Sequence, residues 1–235
     1  MADSRNIQWK RIAVEATAII VSILLAFAID AWWDGRQEAR TQTELVSTLK
    51  LDFETTRKRL SKSIALADAR NERAAGFLKS VGGKEPVELD LLRDSIAGVF
   101  TKIDFEPALS AYNSAVATGK IALVESPALV ESIAEFNQAL DYYKMHDRIA
   151  ADIFYLGPIW ELRREIGSLR ILFRDPSTHP DRFRRTDEEY RQFLTRPMVY
   201  AAIEAMLTAQ RNCVNGLRSM DDAASNVLKE LERLH

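Results

Sequence analysis

The chain has 235 residues, 47% of them hydrophobic and 28% charged, with a formal net charge of -2 and an isoelectric point near 6.0. So balanced a charge supplies no basic field to attract nucleic acid or another polyanion, and no nucleic-acid partner is expected. Cys213 is the only cysteine, which excludes an intramolecular disulfide framework and a multi-cysteine metal site.

Residues 1–11 read as a cytoplasmic tail carrying Arg5, Lys10 and Arg11. Residues 12–33, IAVEATAIIVSILLAFAIDAWW, are the predicted transmembrane helix. At a rise of about 1.5 Å per residue they cover roughly 33 Å, enough for a hydrocarbon core of about 30 Å. Ala26-Phe27-Ala28 has the small-x-small form of a signal-peptide cleavage site, so cleavage is the rival reading. Retention is expected, because no polar spacer precedes that site and Trp32-Trp33 sits where an interfacial aromatic anchor belongs. Lys10-Arg11 abut one end of the span while Asp30 and Asp34 mark the other. This polarity predicts a cytoplasmic N-terminus and an exported C-terminal domain, in a bacterium an inner-membrane protein with a periplasmic domain.

On a helical wheel, Glu15, Ala18, Ser22, Ala26 and Asp30 fall within roughly 60° either side of one line. Small residues every fourth position let helices approach closely, and acidic groups in a span are costly unless they face protein or water. These five residues are therefore a candidate membrane-helix interface. The blander alternative is that Glu15 pairs with Arg11 one turn away and Asp30 lies among the headgroups.

Residues 34–235 are expected to form one helical-bundle extracytoplasmic domain. Leu45, Leu49, Phe53, Leu60, Ile64, Ala67, Ala74 and Leu78, with Thr56 and Asn71, keep a three-and-four rhythm that predicts a long helix ending at Gly82-Gly83. Because neither Pro nor Gly interrupts residues 36–57, that helix is expected to continue out of the membrane as a stalk. A short helix is predicted over residues 89–102 and another over 107–118, closed by Gly119. A long helix should start at Ser126-Pro127, with Ser126 as N-cap and Pro127 at the first helical position, and break at Gly157-Pro158. The last segment places Val199, Ile203, Met206, Gln210, Cys213, Leu217, Met220, Ala224, Val227, Leu231 and Leu234 on a heptad seam. With no strand-like alternation, the predicted architecture is all-α: a single N-terminal transmembrane helix continuing into a stalk, and an antiparallel helical bundle.

Val14-Glu15, Ile23-Leu24-Leu25-Ala26-Phe27, Ile29-Asp30-Ala31-Trp32-Trp33, Arg36, Glu38, Leu49 and Asp52-Phe53 together resemble the N-terminus of a family of uncharacterised bacterial single-pass membrane proteins. The stretch from Ala111-Tyr112 through Thr118-Gly119-Lys120 to Leu123-Val124 and Leu129 resembles an internal segment of the same family. Asp30 and Asp34 stand where that family usually has Asn, and Val14 replaces the Gly before Glu15. The resemblance implies a single-pass topology and a helical domain, and brings no assigned activity.

Chemistry-bearing patterns are sparse. His146, His179 and His235 occupy no metal-ligand spacing, and Gly82-Gly83-Lys84 lacks the rest of a phosphate loop. No catalytic residue, cofactor or metal site is expected. The run Asp141-Tyr142-Tyr143-Lys144-Met145-His146-Asp147 reads as a turn of bundle helix with charges outward, and Cys213 as a buried inert thiol. Arg163, Arg164, Arg170, Arg174, Arg182, Arg184, Arg185, Arg191 and Arg196 crowd one region, in which Arg174, Arg182, Arg184 and Arg185 are candidate contacts for anionic lipid or an acidic partner. The alternative is local salt bridging with Asp175, Asp181, Asp187, Glu188 and Glu189. The sequence thus points to a non-enzymatic, membrane-anchored scaffold or accessory subunit, with the membrane and itself or other membrane subunits as partners. The runner-up is a periplasmic ligand-sensing bundle acting through a membrane partner, since the short cytoplasmic tail holds no output domain.

Overall fold

The computed structural model describes residues 4–83, 88, 89, 92, 102–124, 126–166 and 186–234. The described residues hold helices and connections without a strand.

Helix α1, Ser4–Val81, is unbroken over 78 residues, about 117 Å at 1.5 Å per residue. Gly35 does not interrupt it. The hydroxyls of Thr17 and Ser22 donate to the carbonyls of Ala13 and Ala18 at 2.8 Å, so both hydroxyls of the apolar stretch are satisfied within the helix itself. From residue 11 to residue 40 every position is exposed; packing begins only at Leu45 and Val46. Beyond that point most of the expected rhythm is buried, with Leu49, Phe53, Thr56, Leu60, Ala67 and Ala74 fully enclosed and Asn71 nearly so, while Ile64 and Leu78 are half-buried against the core. Asp52, Val46 and Phe77 join them, widening the buried stripe beyond the positions the periodicity marked. The helix stops where predicted, with the Gly82 N–H returning to the Leu78 carbonyl at 3.0 Å.

Residues 102–109 are non-helical, so the helix predicted over residues 107–118 starts late, as α2, Ser110–Ala117. Side chains of α1 explain the delay. Thr56 Oγ1 accepts from the Ala108 N–H at 2.9 Å and donates to its carbonyl, and the Asp52 carboxylate accepts from the N–H groups of Ala111 and Tyr112 at 2.7 and 3.2 Å. The first-turn amides of α2 are thus capped from another helix rather than by a residue of their own segment. Upstream, Arg59 donates to the Glu106 carbonyl and Arg70 to that of Lys102, so the segment runs back along α1 as an extended strap. The lengths agree: nine extended steps from 102 to 111 and eighteen helical steps from 70 to 52 each span about 27–30 Å. The helix expected over residues 89–102 lies largely outside the described residues, and its last position, Lys102, is in the strap.

Gly119, at φ 73°, closes α2 in the left-handed region and leads through a 3-10 turn, Lys120–Leu123, to α3, Pro127–Tyr155. As expected, Ser126 Oγ accepts from the Leu129 N–H at 3.2 Å with Pro127 at the first position. The break at Gly157-Pro158 separates α3 from α4, Pro158–Ile166. Helix α5, Asp187–Leu194, opens with a reciprocal capping box between Thr186 and Glu189. Helix α6, Pro197–Arg233, has Pro197 at its start.

Helix α6 packs extensively against both α3 and α1. All of the predicted seam is buried except Leu234, which is 38% exposed past the helix end. A second set, Ala202, Leu207, Ala209, Val214, Gly216 and Ala223, is buried too, because α6 is covered on two sides. The heptad seam is therefore consumed within the chain. Salt bridges lock the α1–α6 register: Lys50 to Glu232 at 3.6 Å, Arg57 to Asp221 at 3.0 Å, and Arg218 to Asp68 at 2.8 Å. Rising numbers on α1 meet falling numbers on α6.

Candidate functional site

The chain's candidates fall in three regions: the apolar stretch, the arginine-rich region and the segment packed on α1 and α3 around Lys102. The first is the apolar stretch. Its most apolar 18-residue window has a mean hydropathy of 2.5 and none of it is buried, so α1 is long and apolar enough to cross a membrane and is not hidden in a core. Glu15 accepts from Arg11 Nε at 3.3 Å, an ion pair across one turn. Ala18, Ser22, Ala26 and Asp30 are exposed and touch no other part of the chain. At the far boundary the Arg36 guanidinium lies 5.6 Å over the Trp32 ring.

The second is the arginine-rich region. Arg174, Arg182, Arg184 and Arg185 lie outside the described residues. Their flanks are placed: Arg196 pairs with Glu165, Arg164 with Glu161 at 3.6 Å, and the Arg163 guanidinium sits 4.1 Å over the Phe154 ring. These flanks sit near the start of α6, where a Cβ built on Gly82 would lie 3.9 Å from the Tyr200 ring. Gly82 follows Trp33 by about 73 Å of helix, so this end of the bundle is the one remote from the apolar stretch.

The third was not legible in the sequence. Beneath the strap, Lys102 Nζ lies 3.0 Å from Asp147 on α3 and 2.7 Å from Asp104, with only 16% of its side chain exposed. Tyr143, one turn before Asp147, is buried and donates its hydroxyl to the Ile103 carbonyl at 3.2 Å, while its ring meets Phe105 edge to face. Cys213 of α6 is buried beside them. Asp147 thus turns inward, a correction to the expectation that this run holds its charges outward: Asp141 and Lys144 do, Asp147 does not. The only local signal was the tyrosine–aspartate spacing of four, and its counterpart, Lys102, comes from a distant segment.

Electrostatics define what this cluster does. Burial opposes the Lys102 ammonium, but its bonds to Asp104 and Asp147 outweigh that and raise its pKa. Burial, then the Asp147 charge, raise the Tyr143 hydroxyl above its usual range and push the Cys213 thiol up to about 11. A protonated thiol, a hydroxyl committed to a carbonyl and an ammonium held between carboxylates make a structural clamp that pins the strap to α3. Among the described residues no group of three or more His, Cys, Asp or Glu is placed to hold a metal ion.

No family model matches this chain, and no curated protein or solved structure does.

Proposed function

We propose that this protein is a single-pass, membrane-anchored helical scaffold or accessory subunit without enzymatic activity. In this reading it sits in a bacterial inner membrane with its N-terminus in the cytoplasm and an antiparallel helical bundle in the periplasm. The observation that carries it is the unbroken course of α1 from the apolar stretch into the packed core, which joins the two through a single helix. Retention of the span is supported by Trp32-Trp33 at its far end and by the lack of a polar spacer before Ala26-Phe27-Ala28. The opposed numbering of the α1–α6 ion pairs supports the antiparallel arrangement.

Two further facts support association through the membrane. The seam of α6 is occupied within the chain, leaving the apolar stretch as the large uncovered hydrophobic surface among the described residues. Its Glu15, Ala18, Ser22, Ala26 and Asp30 face offers the close approach that helix pairing in lipid requires, with Glu15 kept neutralised by Arg11 until a partner replaces it.

The test is gentle extraction of the tagged protein from its native membrane, followed by the mass and composition of the particle. A multiple of 26.6 kDa supports a self-assembled scaffold, and fixed-ratio companions support an accessory subunit. A lone monomer in every mild detergent overturns the proposal.

A further inference from the structure

Helices α3 and α6 leave an open groove of about 490 Å³ that no other element lines. That volume is in the range of small-molecule sites. Glu135, Gln138 and Tyr142 form one wall and Asn215, Asp222 and Asn226 the other. Small side chains, Ala139 and Ala223, leave the space between them open. The Tyr142 wall is held in place: a Cβ built on Gly216 would come 3.3 Å from its ring and 3.0 Å from the Tyr143 backbone, so only glycine lets the ring settle against α6. The His146 ring meets it edge-on at 4.4 Å.

The lining is one-sided in charge. Among the described residues no lysine, arginine or histidine lines the groove. Arg57, which feels the Asp222 charge, commits its guanidinium to the neighbouring Asp221, and neither Asp222 nor Glu135 has an ion-pair partner among the described residues. An anionic ligand would meet two carboxylates, with the nearby Arg57 guanidinium already bonded to Asp221. A bare metal ion would leave the ring and the alanines unused. A cation with methylenes uses all of it: ammonium groups at the carboxylates and amide oxygens, and chain carbons along the Tyr142 face.

We propose that this groove binds a small aliphatic polyamine. The site is independent of what the span associates with, so its test stands apart from the particle-mass experiment.

Isothermal titration calorimetry on the full chain in neutral detergent, with spermidine as titrant and glutarate as the anionic comparison, tests it. The expected result is saturable one-site binding of spermidine alone, weakened at least tenfold by Asp222→Asn and by Tyr142→Leu. Glu204→Gln, elsewhere on α6, should bind as the unaltered chain does. Circular dichroism melting confirms that each variant is folded, and Asp222→Asn, at an exposed position, carries the test should Tyr142→Leu unfold. Absence of saturable heat, binding that folded Asp222→Asn leaves unchanged, or displacement by an equal concentration of magnesium would each overturn the site, the last by reducing it to diffuse screening.

Discussion

Asp52 shows how one side chain organises a distant segment. Its carboxylate is buried yet satisfied, because it accepts two amides at the start of α2, where the helix dipole also favours a negative charge. Asp52→Ala should therefore cost about 1–3 kcal/mol by orphaning both donors, with Asp52→Asn intermediate. Denaturant unfolding of the full chain in detergent, followed by circular dichroism, reads this out, and an unchanged midpoint for Asp52→Ala would refute the cap. Gly216 makes the opposite case. In a helix interior, alanine is ordinarily worth about 1 kcal/mol over glycine. Here the added Cβ would press on Tyr143, so Gly216→Ala should destabilise by about 1–3 kcal/mol through overpacking. The same unfolding measurement checks the sign.

The clamp under the strap carries a pH dependence. Lys102, Tyr143 and Cys213 all have pKa values raised by folding, so the folded state holds their protons more tightly than the unfolded chain does. Their contribution is fully present below the unfolded values and is lost as pH rises through the folded ones. For Cys213 that window runs from its model-peptide value of 9.0 to about 11. Thermal stability should be level from neutral pH to about 8.5 and fall above 9, by about 1.4 kcal/mol per pH unit for each group in its window. A melting series across that range tests it, and Cys213→Ala should flatten part of the slope. A profile level to pH 11 would contradict the burial of these groups.

Among the elements, α1 does two jobs with one geometry. Between residues 34 and 40 every position is exposed, so its continuity there rests on helix propensity rather than on packing. Gln37→Pro should consequently kink the stalk while leaving the bundle's unfolding midpoint unchanged, since the ring removes a backbone bond and clashes one turn back. Spin labels at positions 28 and 69 would report the kink as a shortened, broadened distance distribution. The strap is the contrasting element. It has no periodic structure, and side chains of α1 with the Lys102–Asp147 pair hold it.

For the whole molecule, burial of the α6 seam within the chain leaves the exposed apolar stretch of α1 as the surface through which the proposed association would run. Replacing Ser22 and Ala26 with Leu should prevent close helix approach and reduce the mass of the extracted particle, with no loss of bundle stability. An assembly of unchanged size would remove the span face from the interface.

Much of this architecture was legible because it depends on local periodicity and punctuation. The apolar run of residues 12–33, the rhythm from Leu45 to Leu78, the Ser126-Pro127 start, the Gly157-Pro158 break and the Gly119 closure each act within a few residues of themselves. A hydrophobic stripe, a cap or a proline restricts the backbone wherever the chain later packs. The tertiary structure alone decided that the α6 seam faces α1 and α3 within one chain, that residues 102–109 are a strap, that Asp52 caps α2 and that Asp147 turns inward to Lys102. Those outcomes depend on groups about 45 to 164 residues apart, where a carboxylate, an amide or an apolar stripe has several possible partners and packing selects one.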